Sequence, residues 1–372
     1  MSEDIGGVDT GGGVPFPAES SAFRFTGRWQ DYAPIAFTNL LLMIVTLGIY
    51  RFWATTRTRH YLWSHTHFID DPLEWTGRGV ELLVGFLLAL GLFGLPFLFL
   101  QFGVQALALQ GHAGIAGILS FAAFLFILML TGVARFRALR YRLSRTYWHG
   151  IRGGSDSNGI AYGWSWLWKS VVGALPLWLL VPWSMTALWN DRWGRMSFGS
   201  QTFRAAARPE PIYKRFLLFY LLPFLLVIAG IAAAALFASG TLRPDVNSGA
   251  VLGVIVVGAL AVFGIYIALG FVALAYYAAF MREAIGSLSL GDLDFQFTAT
   301  TGQWLKLFIV DVLLVIGTLG IGLMFLSYRH WKFLIVHLEA TGEVSLSALG
   351  QSTTREPGQG EGLLDAFDLG AI

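Results

Sequence analysis

Apolar residues run almost unbroken through four stretches of this chain, at 80–102, 115–134, 216–239 and 250–271, the last continuing to Met281. A bilayer core is about 30 Å thick, so a spanning helix needs roughly 20 apolar residues, and all four stretches are long enough. They form two pairs, joined by 103–114 and 240–249, which are short and polar enough for tight helical hairpins. Three further stretches, 34–53, 168–189 and 305–326, are also long enough to span, but each is interrupted. The first contains Thr46-Leu47-Gly48-Ile49, the third contains Thr318-Leu319-Gly320-Ile321, and the middle one contains Pro176 and Pro182. Glycine and proline weaken a helix interior, and interruptions in corresponding places point to broken or re-entrant elements. The alternative is three plain spans, because glycine is common in ordinary spanning helices.

The interruptions belong to a repeat. A shift of 272 residues places Phe23 on Phe295, Phe25 on Phe297, Thr26 on Thr298, Asn39 on Asp311, the Thr46 motif on the Thr318 motif, and Arg57 on Arg329. Four identical residues in a row, flanked by others in one register, are a strong repeat signal. Half that shift, 136, carries 80–102 onto 216–239 almost end to end and Thr46 onto Pro182. The chain is therefore expected to alternate three interrupted elements (22–79, 146–207 and 294–349) with two helical hairpins (80–134 and 216–281). Short alternating stretches at 23–26, 61–75, 196–204, 295–298 and 343–349 read as small surface strands. The predicted fold class is an all-α polytopic membrane protein with short β-strands at the cytoplasmic surface.

Composition and charge sharpen this picture. Charged residues make up only 13% of the 372 and hydrophobic ones 55%, far from the balance of a soluble domain. A net charge of +2 gives no reason to expect a nucleic-acid partner. If the three interrupted elements enter and leave on one side, the Lys and Arg residues divide 24 to 1; if all seven stretches cross, they divide 15 to 10. Short cytoplasmic loops collect Lys and Arg, so the first arrangement is preferred, with both termini cytoplasmic. All 14 tryptophans lie outside the four long stretches, as an interfacial belt requires. Residues 1–21, acidic and Gly-rich, read as a disordered tail rather than a secretory signal, and 350–372 reads as a second flexible tail. The absence of cysteine removes disulfides, thiolate metal sites and cysteine catalysis.

The run Phe23-Arg24-Phe25-Thr26-Gly27, then Asn39-Leu40-Leu41-Leu42, Thr46-Leu47-Gly48-Ile49-Tyr50, Trp53, Arg57 and Tyr61 resembles the start of YjgN-like inner-membrane proteins. Thr146-Tyr147-Trp148-His149-Gly150-Ile151-Arg152 resembles that family's second marker. The resemblance spans roughly 22–350 and implies a multi-pass protein of the bacterial inner membrane, without an assigned activity and so without catalytic residues to carry over. The third copy departs from the first at Gly322, where Tyr50 stood.

Asp311 is the sharpest candidate, since an ionisable residue inside an apolar run is a functional hypothesis by default. With its mate Asn39 it is expected to line a polar cavity where interrupted elements meet, or else to bond local backbone. Thr46, Gly48, Thr318 and Gly320 either offer backbone groups to a solute or simply reverse the chain or pack helices tightly. Arg135, Arg137, Arg140, Arg142 and Arg145 are candidates for anionic lipid headgroups, each contributing about 1 kcal/mol, or serve orientation alone. His65 and His67 would share one face of a strand with Asp70 and Asp71 nearby, but no metal-ligand spacing supports a site, and no cofactor motif is present. The expected function is a non-enzymatic transporter, channel or lipid-handling protein whose partner is the bilayer. A membrane scaffold is the alternative, and an interfacial lipid enzyme a third.

Overall fold

The computed structural model of the protein describes residues 22–238, 248–343 and 349–357. The tail at 1–21, most of the joint 240–249, most of the strand expected at 343–349 and the tail beyond 357 lie outside the described residues.

The chain opens with β1 (Phe23–Phe25), α1 (Trp29–Val45), α2 (Arg51–Ser64), β2 (Thr66–Phe68), β3 (Asp71–Pro72) and β4 (Glu74–Trp75). Next come α3 (Gly79–Ala89), a wide π-helical turn at Leu90–Gly94, α4 (Leu95–Leu109), α5 (Ala113–Ser144), β5 (Thr146–Trp148) and β6 (Ile151–Gly154). The middle copy holds α6 (Ile160–Ala174), α7 (Val181–Trp193), β7 (Ser197–Phe198) and β8 (Gln201–Ala205). Then follow α8 (Glu210–Ala238), α9 (Ser248–Gly286), β9 (Leu288–Leu290), β10 (Leu293–Phe297), α10 (Thr301–Gly317), α11 (Leu323–Val336) and β11 (Leu338–Thr341).

Two expectations are corrected. The fold is not all-α: β4 to β11 form one antiparallel sheet of eight strands in sequence order, and β1, β2 and β3 form another of three. The strand expected from residue 61 begins only at Thr66, because 51–64 continue as helix α2. Two helices among the described residues have membrane-crossing length and apolarity, Ala113–Ser144 and Val262–Gly286, the latter within α9. The stretch 80–102 is divided by the turn at Leu90–Gly94 into two shorter apolar helices.

Pairing of the strands sets the architecture. β1 pairs with β2, β4 with β5, β6 with β7, β8 with β9, and β10 with β11. Each of these pairs brackets one helical excursion, so the chain leaves the strand layer and returns beside its point of departure every time. The interrupted elements and the long hairpins obey the same rule. Between excursions the strands are joined by tight turns. His149 and Gly150, both with positive φ (48° and 71°), form the two-residue turn between β5 and β6, the conformation that matches the twist of a hairpin. That turn accounts for the Tyr-Trp-His-Gly-Ile-Arg marker.

Aromatic residues from different copies fill the inside of the strand layer. Phe23 lies 4.6 Å from Phe68 and 6.4 Å from Phe295, ring centre to ring centre, and Phe68 lies 4.9 Å from Trp148. Helices α5 and α6 approach closely through glycine. A Cβ on Gly163 would come 2.5 Å from Val133 Cγ2, and one on Gly132 would come 2.4 Å from Trp166 Cβ. Small residues at a crossing let backbones pack, which matters most where lipid supplies no hydrophobic drive between helices.

Candidate functional site

The hairpin turns explain the repeated motif. Thr46 Oγ1 donates to Leu42 O at 2.7 Å and accepts from the Tyr50 amide at 3.0 Å. Thr318 Oγ1 likewise donates to Leu314 O at 2.6 Å and accepts from the Gly322 amide at 2.6 Å. One hydroxyl thus ends one helix and starts the next, covering groups that helix ends leave open. Leu47 and Gly48 take positive φ (50° and 89°), as do Leu319 and Gly320 (50° and 93°). The space around a Cβ on Gly48 or Gly320 is open within 4 Å, so these glycines serve the turn rather than tight helix packing. The middle copy turns through Leu177 and Trp178, also at positive φ, and places Pro182 in the first turn of α7.

Each hairpin is cross-linked by polar side chains between its two helices. In the first copy Arg57 Nη1 donates to Asn39 Oδ1 at 3.3 Å and to Tyr50 Oη at 3.1 Å. In the third, Arg329 Nε donates to Asp311 Oδ1 at 2.5 Å, and His330 Nε2 lies 2.7 Å from Oδ2. The departure at Gly322 now has a physical account: two neutral acceptors, Asn39 and Tyr50, hold the arginine in one copy, and a single carboxylate holds it in the other. In the middle copy the charges are reversed, with Lys169 Nζ on α6 2.5 Å from Asp191 Oδ2 on α7, which also accepts from Ser165. Burial raises the Asp191 carboxyl, but Lys169 and Ser165 outweigh it and leave the group below its ordinary range.

The three copies meet around a cavity of about 650 Å³. The first copy lines it from α1 and α2 with Asn39, Arg51, Phe52, Arg59 and Trp63. The end of α5 adds Leu139, Arg142 and Leu143, the end of α7 adds Trp193, and α11 adds Met324, Ser327 and Trp331. Asn39 therefore faces the cavity where the elements meet. Asp311 is not among the lining residues and is held instead by Arg329 and His330. Arg51 and Arg59, which composition and motif reading passed over, lie against aromatic faces: Arg51 over Phe52 and Phe86 at 4.8 Å, Arg59 over Trp75 at 5.0 Å. The signal for Arg51 was its position, directly after the Thr-Leu-Gly-Ile-Tyr turn.

The other candidates are placed as follows. Arg135 lies 4.3 Å from the Trp166 ring centre, Arg137 donates to Asn158 O at 3.1 Å, and Arg140 donates to Ser157 O and Arg355 O, both at 3.0 Å. Arg145 pairs with Glu81 at 3.1 Å and Glu356 at 3.4 Å. Of the basic run, Arg142 faces the cavity. Residues 349–357 lie along β6, where Arg152 binds the Thr354 carbonyl and Glu356. His65 follows the end of α2, with Nδ1 2.7 Å from Tyr61 O, and so is not on the strand with His67. Asp70 and Asp71 face His149 instead, at 3.1 and 3.7 Å. Among the described residues no group of three or more His, Cys, Asp or Glu side chains gathers to hold a metal ion.

Fold and cavity together define the class: a predominantly helical repeat protein that carries apolar helices of membrane-crossing length on a layer of strands. Within that class, the chain belongs to the family described as bacterial proteins of unknown function (DUF898), which it matches over residues 20–366. It is also similar to the inner membrane protein YjgN of Salmonella typhimurium strain LT2, 25% identical over 130 residues. That match covers 35% of this chain and 30% of the relative, less than a third of the relative's length. Both findings bear out the resemblance drawn from the Thr46 and Thr146 motifs. No solved structure matches.

Proposed function

We propose that this is a multi-pass inner-membrane protein, a non-enzymatic transporter, channel or lipid-handling protein, whose long hairpins cross the bilayer and whose three short hairpins re-enter it from the cytoplasmic side. The observation that carries this reading is the chemistry of the hairpin tips. Leu47 and Leu319 are 93% and 95% exposed, an unfavourable place for leucine in water. The tip amides are nevertheless bonded within the hairpin. Leu47, Gly48, Ile49 and Arg51 donate to Ile44, Met43, Thr46 and Gly48, and Leu319, Gly320, Ile321 and Leu323 make the matching bonds. An apolar tip with its backbone groups satisfied internally suits hydrocarbon, where an open N–H costs several kcal/mol.

The division of Lys and Arg supports the same arrangement, because all helical excursions return to the strand layer and that layer would face the cytoplasm. The strand layer and the helix starts then hold the short hairpins around the central cavity, with no enzymatic chemistry required of them. Irregular backbone at membrane depth belongs where it lines a protein cavity, as in transporters built from broken helices.

Labelling tests the topology. Single cysteines replace Asp156 and Ser200, exposed residues on either side of the middle hairpin, in a chain with no native cysteine. A membrane-impermeant thiol reagent should reach both in inverted vesicles and neither in intact cells. Labelling of the two sites from opposite faces would make the element a plain span and remove the basis of this reading. Function is tested by filling the cavity with Ser327→Trp: a chain that still labels correctly should behave as a deletion does in growth and envelope-lipid composition.

A further inference from the structure

We infer that the central cavity holds one hydrocarbon chain of a membrane lipid, taken in beside the hairpin tips and lying along α2 between the first and third copies of the repeat. The inference rests on the membrane reading above and adds the chemical class of the occupant.

Shape is the first argument. Three helices line the cavity along most of their length. α1 contributes Tyr32, Ala36, Asn39 and Met43, and α11 contributes Leu323, Met324, Ser327, Trp331 and Ile335, both at the spacing of one helix face. α2 lines it from Arg51 to Trp63, about 18 Å of helix rise, whereas a sphere of the same volume of about 650 Å³ would be only about 11 Å across. The space is therefore longer than it is wide, which suits an extended chain better than a compact solute.

The chemistry of the wall is the second argument, because its polar groups are already engaged within the protein. Asn39 Nδ2 donates to Ala54 O at 3.3 Å, and its Oδ1 accepts from Arg57. Thr55 Oγ1 donates to Arg51 O at 2.9 Å, and Tyr32 Oη joins Thr58 Oγ1 and Met324 O, both at 3.3 Å. The Trp63 and Trp331 indoles donate to Thr146 and Thr66. The Trp193 indole nitrogen has no partner but is fully buried, so it offers the space no donor. Arg51 lies over Phe52 and Phe86, Arg59 lies over Trp75, and Arg142 is likewise engaged, so these cations ask for no anion. Among the described residues that leaves Ser327 as the one lining hydroxyl without a partner, too little to hold a polar solute. Water in such a space would lack the two to four polar partners it needs, and an empty one forfeits dispersion contacts on every side. Hydrocarbon against Phe52, Leu62, Met324 and Trp331 restores them.

Continuity is the third argument. One end of the cavity is lined by Phe23, Leu73 and Leu338, in or beside the strand layer. The other is lined by Met43 and Leu323, one turn from the exposed tip leucines Leu47 and Leu319. In a re-entrant hairpin those tips stand in the bilayer, so the occupant at hand there is an acyl chain.

The test uses the full chain in phosphatidylcholine vesicles that carry a small fraction of phosphatidylcholine with a diazirine in mid acyl chain. After irradiation, adducts are mapped by mass spectrometry. They should fall on Phe52, Met324 and Trp331 as well as on Ile118 and Phe121, exposed apolar residues of α5 that serve as the reference for lipid at the outer surface. Phosphatidylglycerol bearing the same chain should label the cavity to the same extent. Ala36→Phe and Ser327→Trp, which narrow the cavity from α1 and α11, should each lose the cavity adducts and keep those on α5. Cavity adducts that persist in both variants would overturn the inference. Severalfold stronger cavity labelling by phosphatidylglycerol would overturn it too, because the headgroup charge and not the chain would then be recognised. Absence of cavity adducts, in protein whose cysteine labelling is as expected, would overturn this inference and leave the topology standing.

Discussion

Trp63 and Trp331 stack face to face, their ring centres 4.2 Å apart and their planes inclined by 24°, joining the first copy of the repeat to the third. Each indole N–H is used as well: Trp63 donates to Thr146 Oγ1 of the middle segment and Trp331 to Thr66 Oγ1, both at 2.9 Å. Trp331→Ala should therefore destabilise the protein by about 3 kcal/mol, through lost packing and an open hydroxyl partner at Thr66. A double-mutant cycle with Trp63→Ala, read by thermal unfolding in detergent, should give a coupling of about 0.5–1.5 kcal/mol. Strictly additive losses would mean that the stack does not join the copies.

Asp311 is held by Arg329 and His330, so its removal leaves the Arg329 guanidinium and the His330 ring without their acceptor. Asp311→Ala is expected to cost about 3–5 kcal/mol, the usual effect of breaking a buried pair. Asp311→Asn should cost less, because Asn39 already serves Arg57 in the first copy. Equal melting temperatures for the two variants would contradict the compensation between copies.

Two glycines should respond for different reasons. Gly163→Val drives a side chain into Val133 and the Met129 carbonyl at the α5–α6 crossing, and folded protein should be lost from the membrane fraction. Gly320→Ala meets open space, but at φ +93°, and should cost only about 1–2 kcal/mol. If Gly163→Val is the milder of the two in a thermal-stability assay, the close crossing is not what that residue provides.

The Asp191 carboxyl is depressed in the folded protein by Lys169 and Ser165 against the opposing effect of burial. A depressed acid contributes stability above its unfolded pKa and loses that contribution as the pH falls through the lower, folded value. The melting temperature should thus drop on acidification below the ordinary carboxylate range. Asp191→Asn should remove that part of the acid sensitivity while lowering stability at neutral pH. An unchanged acid limb in Asp191→Asn would rule the pair out as a source of it.

Period and interruption were legible in the residues, because Thr, Gly and Pro punctuate a helix through local hydrogen bonds and φ alone. Thr46 and Thr318 cap their turns in the same way, and the identity of the two motifs follows from that shared requirement. The alternation at 23–26, 196–204 and 295–298 was legible and marks β1, β7, β8 and β10, but the joining of β4 to β11 into one sheet was not. Strands of three or four residues such as β5, β6 and β9 are lost beside long apolar runs. Helix α2 misled for a related reason: its alternating polar and aromatic residues pack on two sides, against α1 and around the cavity, so no single apolar stripe marks it. Asp311 stood out by its charge, whereas its partners eighteen and nineteen positions away are set by hairpin geometry that no local pattern carries. Arg51, Arg59 and Arg142 converge only through tertiary packing.

Because each helical excursion comes back beside its own beginning, the architecture has a parity. Copying one strand-bracketed unit within the gene adds an outward and a return passage together and leaves everything downstream facing as before. A chain of this kind can grow by duplication without inverting its later segments. The 272-residue period fits growth by whole units, each a helical excursion that leaves the strand layer and rejoins it.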